Sequence, residues 1–132
     1  MIRQVTAEEF APAWKHFYPK IRKALSGDEI AAAALYTRIL NGYAQMWLVR
    51  GDEGCKACAI VSIGKTPSCT KLIVEVLAGE GLSEWSATLT EFLSDIKDII
   101  GAKSLEASCR PGLAKYLKNE GWKVQSIIME KF

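Results

Sequence analysis

The chain has one histidine, His16, on a predicted helix between Lys15 and Phe17. No serine or cysteine is set beside it as a partner, so no nucleophile–histidine triad is defined. No apolar run approaches the ~18 residues that mark a membrane-spanning helix, and none is expected. Met1-Ile2-Arg3-Gln4 opens without a following apolar segment, which argues against a secretory leader and for folding in a cytoplasm. A surplus of one charge is missing too: 17 Lys and Arg stand against 15 Asp and Glu, too even a balance to demand nucleic acid or an anionic membrane as partner. The basic group Lys15, Lys20, Arg22 and Lys23 reads as a solvated helix face. A second Cys-x-x-Cys is also lacking. Cys55-Lys56-Ala57-Cys58 falls on a predicted strand, where residues three apart point to opposite faces, so neither zinc nor any other metal site is expected. Four cysteines then read as small buried residues in a reducing compartment.

What is present is an ordinary globular composition, 49% hydrophobic and 24% charged, in 132 residues. That length fits a single domain over 1–132 with one buried core and no need of disulfides or metal. No internal repeat or low-complexity linker divides it.

Ile2 to Val5 reads as a short strand, and Thr6-Ala7-Glu8-Glu9 has capping-box spacing. A helix follows with Phe10, Trp14, Phe17 and Ile21 on one side, and Pro12 and Pro19 are expected to shift or kink it. Ser26-Gly27-Asp28 starts a second helix, its stripe Ile30, Ala34, Leu35 and Ile39, ending at Asn41-Gly42. Strands are predicted over Ala44–Arg50, Cys55–Gly64 and Thr70–Leu77, joined by links short enough to imply an antiparallel meander. Ser83 is the predicted cap of a helix bearing Trp85, Leu89, Phe92, Leu93, Ile96 and Ile100 on one face and closing at Gly101. Lys103–Cys109 returns as a strand, a short helix begins at Pro111 and stops at Gly121, and Trp122–Phe132 is the last predicted strand. Strand, crossover helix and strand imply that the runs near residues 74 and 106 lie parallel. The four tryptophans at 14, 47, 85 and 122 read as core, with Trp85 and Trp122 also able to mark a protein contact if exposed. The expected order is βααβββαβαβ, an α+β three-layer (α/β/α) domain with a mixed sheet of about six strands.

That order resembles the GNAT fold of the acyl-CoA-dependent N-acetyltransferases. In that family a Gln/Arg-x-x-Gly-x-Gly/Ala turn between the fourth strand and the next helix holds the pyrophosphate of coenzyme A. Here Val76-x-x-Gly79-x-Gly81 matches at both glycines and departs at the first position. The physical basis is general: a helix start offers unpaired amides and partial positive charge, and glycine lets a ligand approach the backbone. The resemblance implies CoA or acetyl-CoA contacts at Leu77, Ala78, Gly79, Gly81, Leu82 and Ser83. It adds Arg110, which follows the fifth predicted strand where an asparagine is often found. Glu80 and Glu84 place negative charge in the same turn.

A narrower resemblance is to small GNAT-like proteins of tailed bacteriophages and prophages. It rests on Gly79-Glu80-Gly81-Leu82-Ser83-Glu84-Trp85, Cys109-Arg110-Pro111-Gly112, Tyr116-Leu117-Lys118-Asn119-Glu120-Gly121-Trp122 and Met129-Glu130-Lys131. It implies expression in a bacterial host cytoplasm, packaging in the virion for some such proteins, and other phage virion proteins as partners. In the family a tyrosine four places before the glycine is placed to protonate the departing thiolate; that position is Leu117 here, and Tyr116, one place earlier and about 100° around a helix, is the candidate acid. Glu75 is the candidate base: it would share a strand face with Ile73 and Leu77, an apolar setting that raises a carboxyl pKa. The family's seventh strand has too few residues left to form. These departures imply a catalytically degenerate, virion-associated or accessory protein; the alternative is an active acetyl-CoA-dependent N-acetyltransferase acting on an amine.

Overall fold

A computed structural model describes residues 2–51, 54–107, 111–124 and 131. Thr6 starts the first helix as expected: its hydroxyl accepts from the Glu9 amide while the Glu9 carboxylate accepts from the Thr6 amide. Glu9 also holds Arg3 through both carboxylate oxygens, tying strand β1 (Ile2–Gln4) to helix α1 (Ala7–Ala24). Together these bonds hold the Glu9 carboxyl down at about 2, the Arg3 hydrogen bond contributing most. Helix α1 runs unbroken through Pro12 and Pro19 and buries Phe10, Trp14, Phe17 and Ile21.

Asp28 caps α2 (Glu29–Leu40) by accepting from the amides of Ile30 and Ala31. The face it buries is centred on Ala32 and Leu35, with Tyr36 and Ile39 beside them. Ile30 and Ala34, expected in the stripe, point outward, Ile30 being 83% exposed.

Strands β2 (Gln45–Gly51), β3 (Gly54–Lys65) and β4 (Thr70–Gly79) form the antiparallel meander, with β1 on β2. Helix α3 (Leu82–Ile100) crosses over to β5 (Ser104–Ala107), which pairs parallel with β4, Val74 opposite Ala107. Helix α4 (Pro111–Asn119) follows. Among the described residues the mixed sheet therefore has five strands, ordered β1-β2-β3-β4-β5, rather than about six. Trp122–Val124, the start of the expected last strand, are not strand, and most of the rest of that segment lies outside the described residues.

Side-chain alternation along β3 divides the interior into two cores. Cys58 and Ile60 join α1 and α2 on one face, while Ala57, Ala59 and Val61 join α3 and α4 on the other. The expected stripe of α3 is all there, Trp85, Leu89 and Leu93 buried and Phe92, Ile96 and Ile100 packed against them. The tryptophans are core residues as well: Trp14 and Trp85 are buried, and Trp47 and Trp122 pack on the α3 side. The indole N–H groups of Trp85 and Trp122 donate to the Glu80 carbonyl and to Thr90.

Two bulges break this alternation. Between Val49 and Arg50 the register slips opposite β3, leaving Lys56 as the extra residue. Cys55 and Cys58 consequently pack on the same face of the sheet, against the α1–α2 core, and not on opposite faces. Burial pushes the Cys58 thiol up to about 12, far from a thiolate ligand at neutral pH. No group of three or more metal-ligating side chains occurs among the described residues, and no described helix is long and apolar enough to cross a membrane. The second bulge, in β4, is at Glu75.

Ile60 is fully buried in β3, so Ile60→Ala should cost about 2–5 kcal/mol. Ile99→Ala, at a position 82% exposed, should change stability by no more than about 0.5 kcal/mol. Urea unfolding of the two variants beside the parent chain measures both.

Candidate functional site

The end of β4 and the start of α3 meet in the turn Gly79-Glu80-Gly81. Gly79 still pairs with Ala57 of β3, at φ 144°, and the Glu80 amide donates to the Lys56 carbonyl at 3.0 Å. A Cβ on Gly79 would come within 2.4 Å of the Ala57 Cα and Cβ and the Lys56 carbonyl oxygen. Glycine is thus required there by the closeness of β3, apart from any ligand. Gly81 adopts the left-handed conformation, φ 71° and ψ 32°, and is itself the residue that caps α3; no side chain closes the helix start. Ser83, expected to cap, is instead the second residue of α3. The turn therefore presents a glycine-lined backbone against the positive end of a 19-residue helix, an arrangement suited to an anion.

The charge around this turn is balanced by residues far away in sequence. Lys20 of α1 pairs with Glu80 at 3.0 Å, and Lys56 of β3 pairs with Glu84 at 3.3 Å. The Lys20 hydrogen bond, its charge and the nearby charge of Lys56 hold the Glu80 carboxyl below its ordinary range. Lys20, read as part of a solvated basic face, thus belongs to this corner of the molecule. The two glutamates do not leave uncompensated negative charge.

Leu77 and Ala78 are buried on opposite faces, Leu77 toward α3 and Ala78 toward α1 and α2. The β4 bulge explains why. Val74 and Val76 pair with consecutive residues Val61 and Ile60 of β3, so Glu75 is extra, and the faces exchange across it. Glu75 does not share a face with Leu77. It turns to α2, where both Arg38 guanidinium nitrogens donate to its carboxylate at 2.6 and 2.9 Å. Partial burial alone would raise the Glu75 pKa, but hydrogen bonds from Arg38 and Ser62 and the Arg38 charge outweigh it, and the net direction is down. The expectation of a raised pKa is reversed because strand periodicity gives no sign of the partner on α2.

On α4, Tyr116 is half-buried beside the α3 core and Leu117 is fully within it, 3% exposed. Leu117, four residues before Gly121, is thus a core side chain, and Tyr116 lies at the edge of the same core. Arg110 lies outside the described residues. His16 is exposed and packs edge-on against Phe17. Elsewhere, a cleft of about 250 Å3 between β1 and the end of α2, lined by Thr6, Phe10, Ile39, Ala44 and Met46 among others, includes none of the expected site residues.

Solved structures share this fold over the whole chain. A structure described as a probable acetyltransferase superposes with a TM-score of 0.76 at 14% identity, covering 100% of this chain and 95% of that one. The chain has the GNAT acetyltransferase fold. Glucosamine-6-phosphate N-acetyltransferase from Arabidopsis thaliana matches with a TM-score of 0.66 at 16% identity, over 100% of this chain and 97% of its own. A predicted acetyltransferase from Clostridium acetobutylicum, solved with acetyl-CoA, matches with a TM-score of 0.69 at 11% identity, over 100% and 95%. No protein-family model and no curated protein matches the sequence. Identities this low establish the GNAT fold and leave its use open.

Two outcomes test this geometry. Gly79→Ala, which drives a methyl group into β3, should destabilise the chain by several-fold more than Gly101→Ala, where nothing lies within 4 Å and only the left-handed conformation costs about 1 kcal/mol. Thermal unfolding of the pair reads the difference. For Glu75 the folded pKa lies below the unfolded one, so between the two the unfolded chain binds more protons and stability falls as pH falls. Its contribution is complete above the unfolded carboxyl value and is lost as pH falls from there through the folded value, so Glu75→Gln should flatten the acid limb of a stability–pH curve while Arg38 stays in place.

Proposed function

We propose that this chain binds acetyl-CoA with the turn between β4 and α3 and transfers the acetyl group to an amine. The observation that carries this reading is the turn itself: Gly79 laid against β3 and left-handed Gly81 at an uncapped helix start. Leu77, Ala78, Gly79, Gly81, Leu82 and Ser83 would hold the cofactor's phosphates and pantetheine, with Arg110 as a further candidate cation. A backbone able to take an anion, in the GNAT fold, with a similar fold solved with acetyl-CoA, fits that cofactor. When bound, acetyl-CoA would supply the thioester that donates the acetyl group, with the free thiol of CoA as the leaving group. Glu75, held ionised by Arg38, serves to attract an ammonium and accept its proton, and Tyr116 to return a proton to the thiolate.

A second reading has its own support. Leu117 fills the position where the thiolate acid is expected, and Arg38 occupies both oxygens of Glu75. Both features suit a catalytically degenerate protein of phage or prophage origin, virion-associated or accessory, that keeps the fold and acts through its surface. The phage origin rests on the sequence resemblance.

One experiment separates these readings. Acetyl-CoA at a hundredfold excess over its dissociation constant should stabilise the folded chain by ~2.7 kcal/mol, seen as a rise in Tm. In the same sample a thiol reagent should detect free CoA when polyamines, aminoglycosides or lysine peptides are added. Glu75→Gln should keep the rise in Tm and lose the thiol signal. A rise in Tm with no thiol release from any amine favours the degenerate protein, and no rise at all removes the cofactor from both readings.

A further inference from the structure

The turn between β4 and α3 carries no basic residue of its own. Val76 stands where the motif has glutamine or arginine, and the charged side chains at 80 and 84 are acids. Two cations nevertheless reach the turn from other elements. Lys20 extends from α1 to Glu80 at 3.0 Å, and Lys56 extends from β3 to Glu84 at 3.3 Å. Both ammonium charges act on Glu80.

The Lys56 side chain has a prepared course. A Cβ on Gly51 would meet its Cε at 2.7 Å and its Cδ at 3.0 Å, so the absence of a side chain at Gly51 is what lets the stem lie across β2. The β3 bulge at Lys56 takes this residue out of the regular alternation, and its carbonyl anchors the turn by accepting from the Glu80 amide. One residue thus fixes the turn through its backbone and delivers a cation to it through its side chain.

We propose that Lys20 and Lys56 are the phosphate-reading cations of this turn, and that Glu80 and Glu84 are exchangeable partners that hold them while no phosphate is bound. The proposal rests on the cofactor reading given above. Both pairs are exposed on at least one side, Glu80 at 83% and Glu84 at 66%, so each is weak and readily screened. A pyrophosphate carries more charge than either carboxylate and is held in place by the helix start as well. It takes over the lysines, and the glutamates turn out to solvent. No covalent step is involved; one set of ion pairs replaces another. Two consequences follow. The phosphates, more than the pantetheine arm, set the affinity, and the glutamates lower it by competing for the same cations.

Titration calorimetry with CoA and with pantetheine, which lacks the phosphates, tests this on the intact chain. Lys20→Gln with Lys56→Gln should weaken CoA about tenfold or more, since a charge-assisted hydrogen bond is lost at each position. The same pair should flatten the salt dependence of CoA binding and leave pantetheine unchanged. Glu80→Gln with Glu84→Gln should tighten CoA several-fold. Gly51→Ala, which displaces only the Lys56 stem, should weaken CoA in the same direction, and the Tm of each variant without ligand shows that it is folded. If the parent chain binds CoA and folded Lys20→Gln, Lys56→Gln protein binds it equally well, the assignment of the lysines is wrong while the cofactor reading stands. If the parent chain does not bind CoA, the cofactor reading fails and this proposal with it.

Discussion

The β3–β4 pairing, with its bulge at Glu75, is the constraint on which the rest of the structure depends. Without the extra residue, Leu77 would face α1 and α2 and Val76 would face α3. The two cores would exchange members along the last turn of the strand. With it, Val76 and Ala78 fill the α1–α2 core and Leu77 fills the α3 core. The same slip takes Leu77 off the face on which Glu75 meets Arg38 and brings Gly79 opposite Ala57. A bulge also increases local twist and bends its strand. The described parallel ladder with β5 reaches Val74, the residue before the bulge, so the whole turn lies beyond that ladder.

Much of the fold was legible because it rests on local signals. The Thr6–Glu9 box, the Asp28 cap, the Gly101 stop and the six-residue stripe of α3 each depend on residues a few positions apart, and each appears as expected. The parallel pairing near residues 74 and 106 followed from the crossover length. The bulges were not legible, because alternation arguments assume a regular strand, and whether a residue is extruded is decided by its partner strand. That single assumption misplaced Cys55 relative to Cys58 and Leu77 relative to Glu75. The raised Glu75 pKa inferred from burial failed for another reason: hydrogen bonds from Arg38 and Ser62 and the Arg38 charge outweigh the burial.

The candidate site was half legible for a related reason. Gly79 and Gly81 are visible in the sequence, yet their uses differ: Gly79 is required by the backbone of β3, while Gly81 supplies the left-handed entry to α3. The Glu80 amide is tied to the Lys56 carbonyl, and left-handed Gly81 is the residue from which the helix begins at Leu82. The ion pairs join residues 28, 37 and 60 positions apart, and no spacing rule finds such partners.

Those long-range pairs follow one pattern. Three acids at the glycine turn and in the sheet next to it are each matched by a base from a neighbouring element: Glu80 by α1, Glu84 by β3, Glu75 by α2. The pairs differ in burial, and burial sets what each can do. Arg38 grips Glu75 with two bonds at a partly covered position, where breaking the pair would leave a poorly solvated charge, so it acts as a fixed strut. Lys20–Glu80 and Lys56–Glu84 lie at the surface, where water and salt replace either partner at small cost. A partly covered two-bond pair beneath the strand and two exposed single-bond pairs beside the turn therefore differ in how easily water and salt can part them.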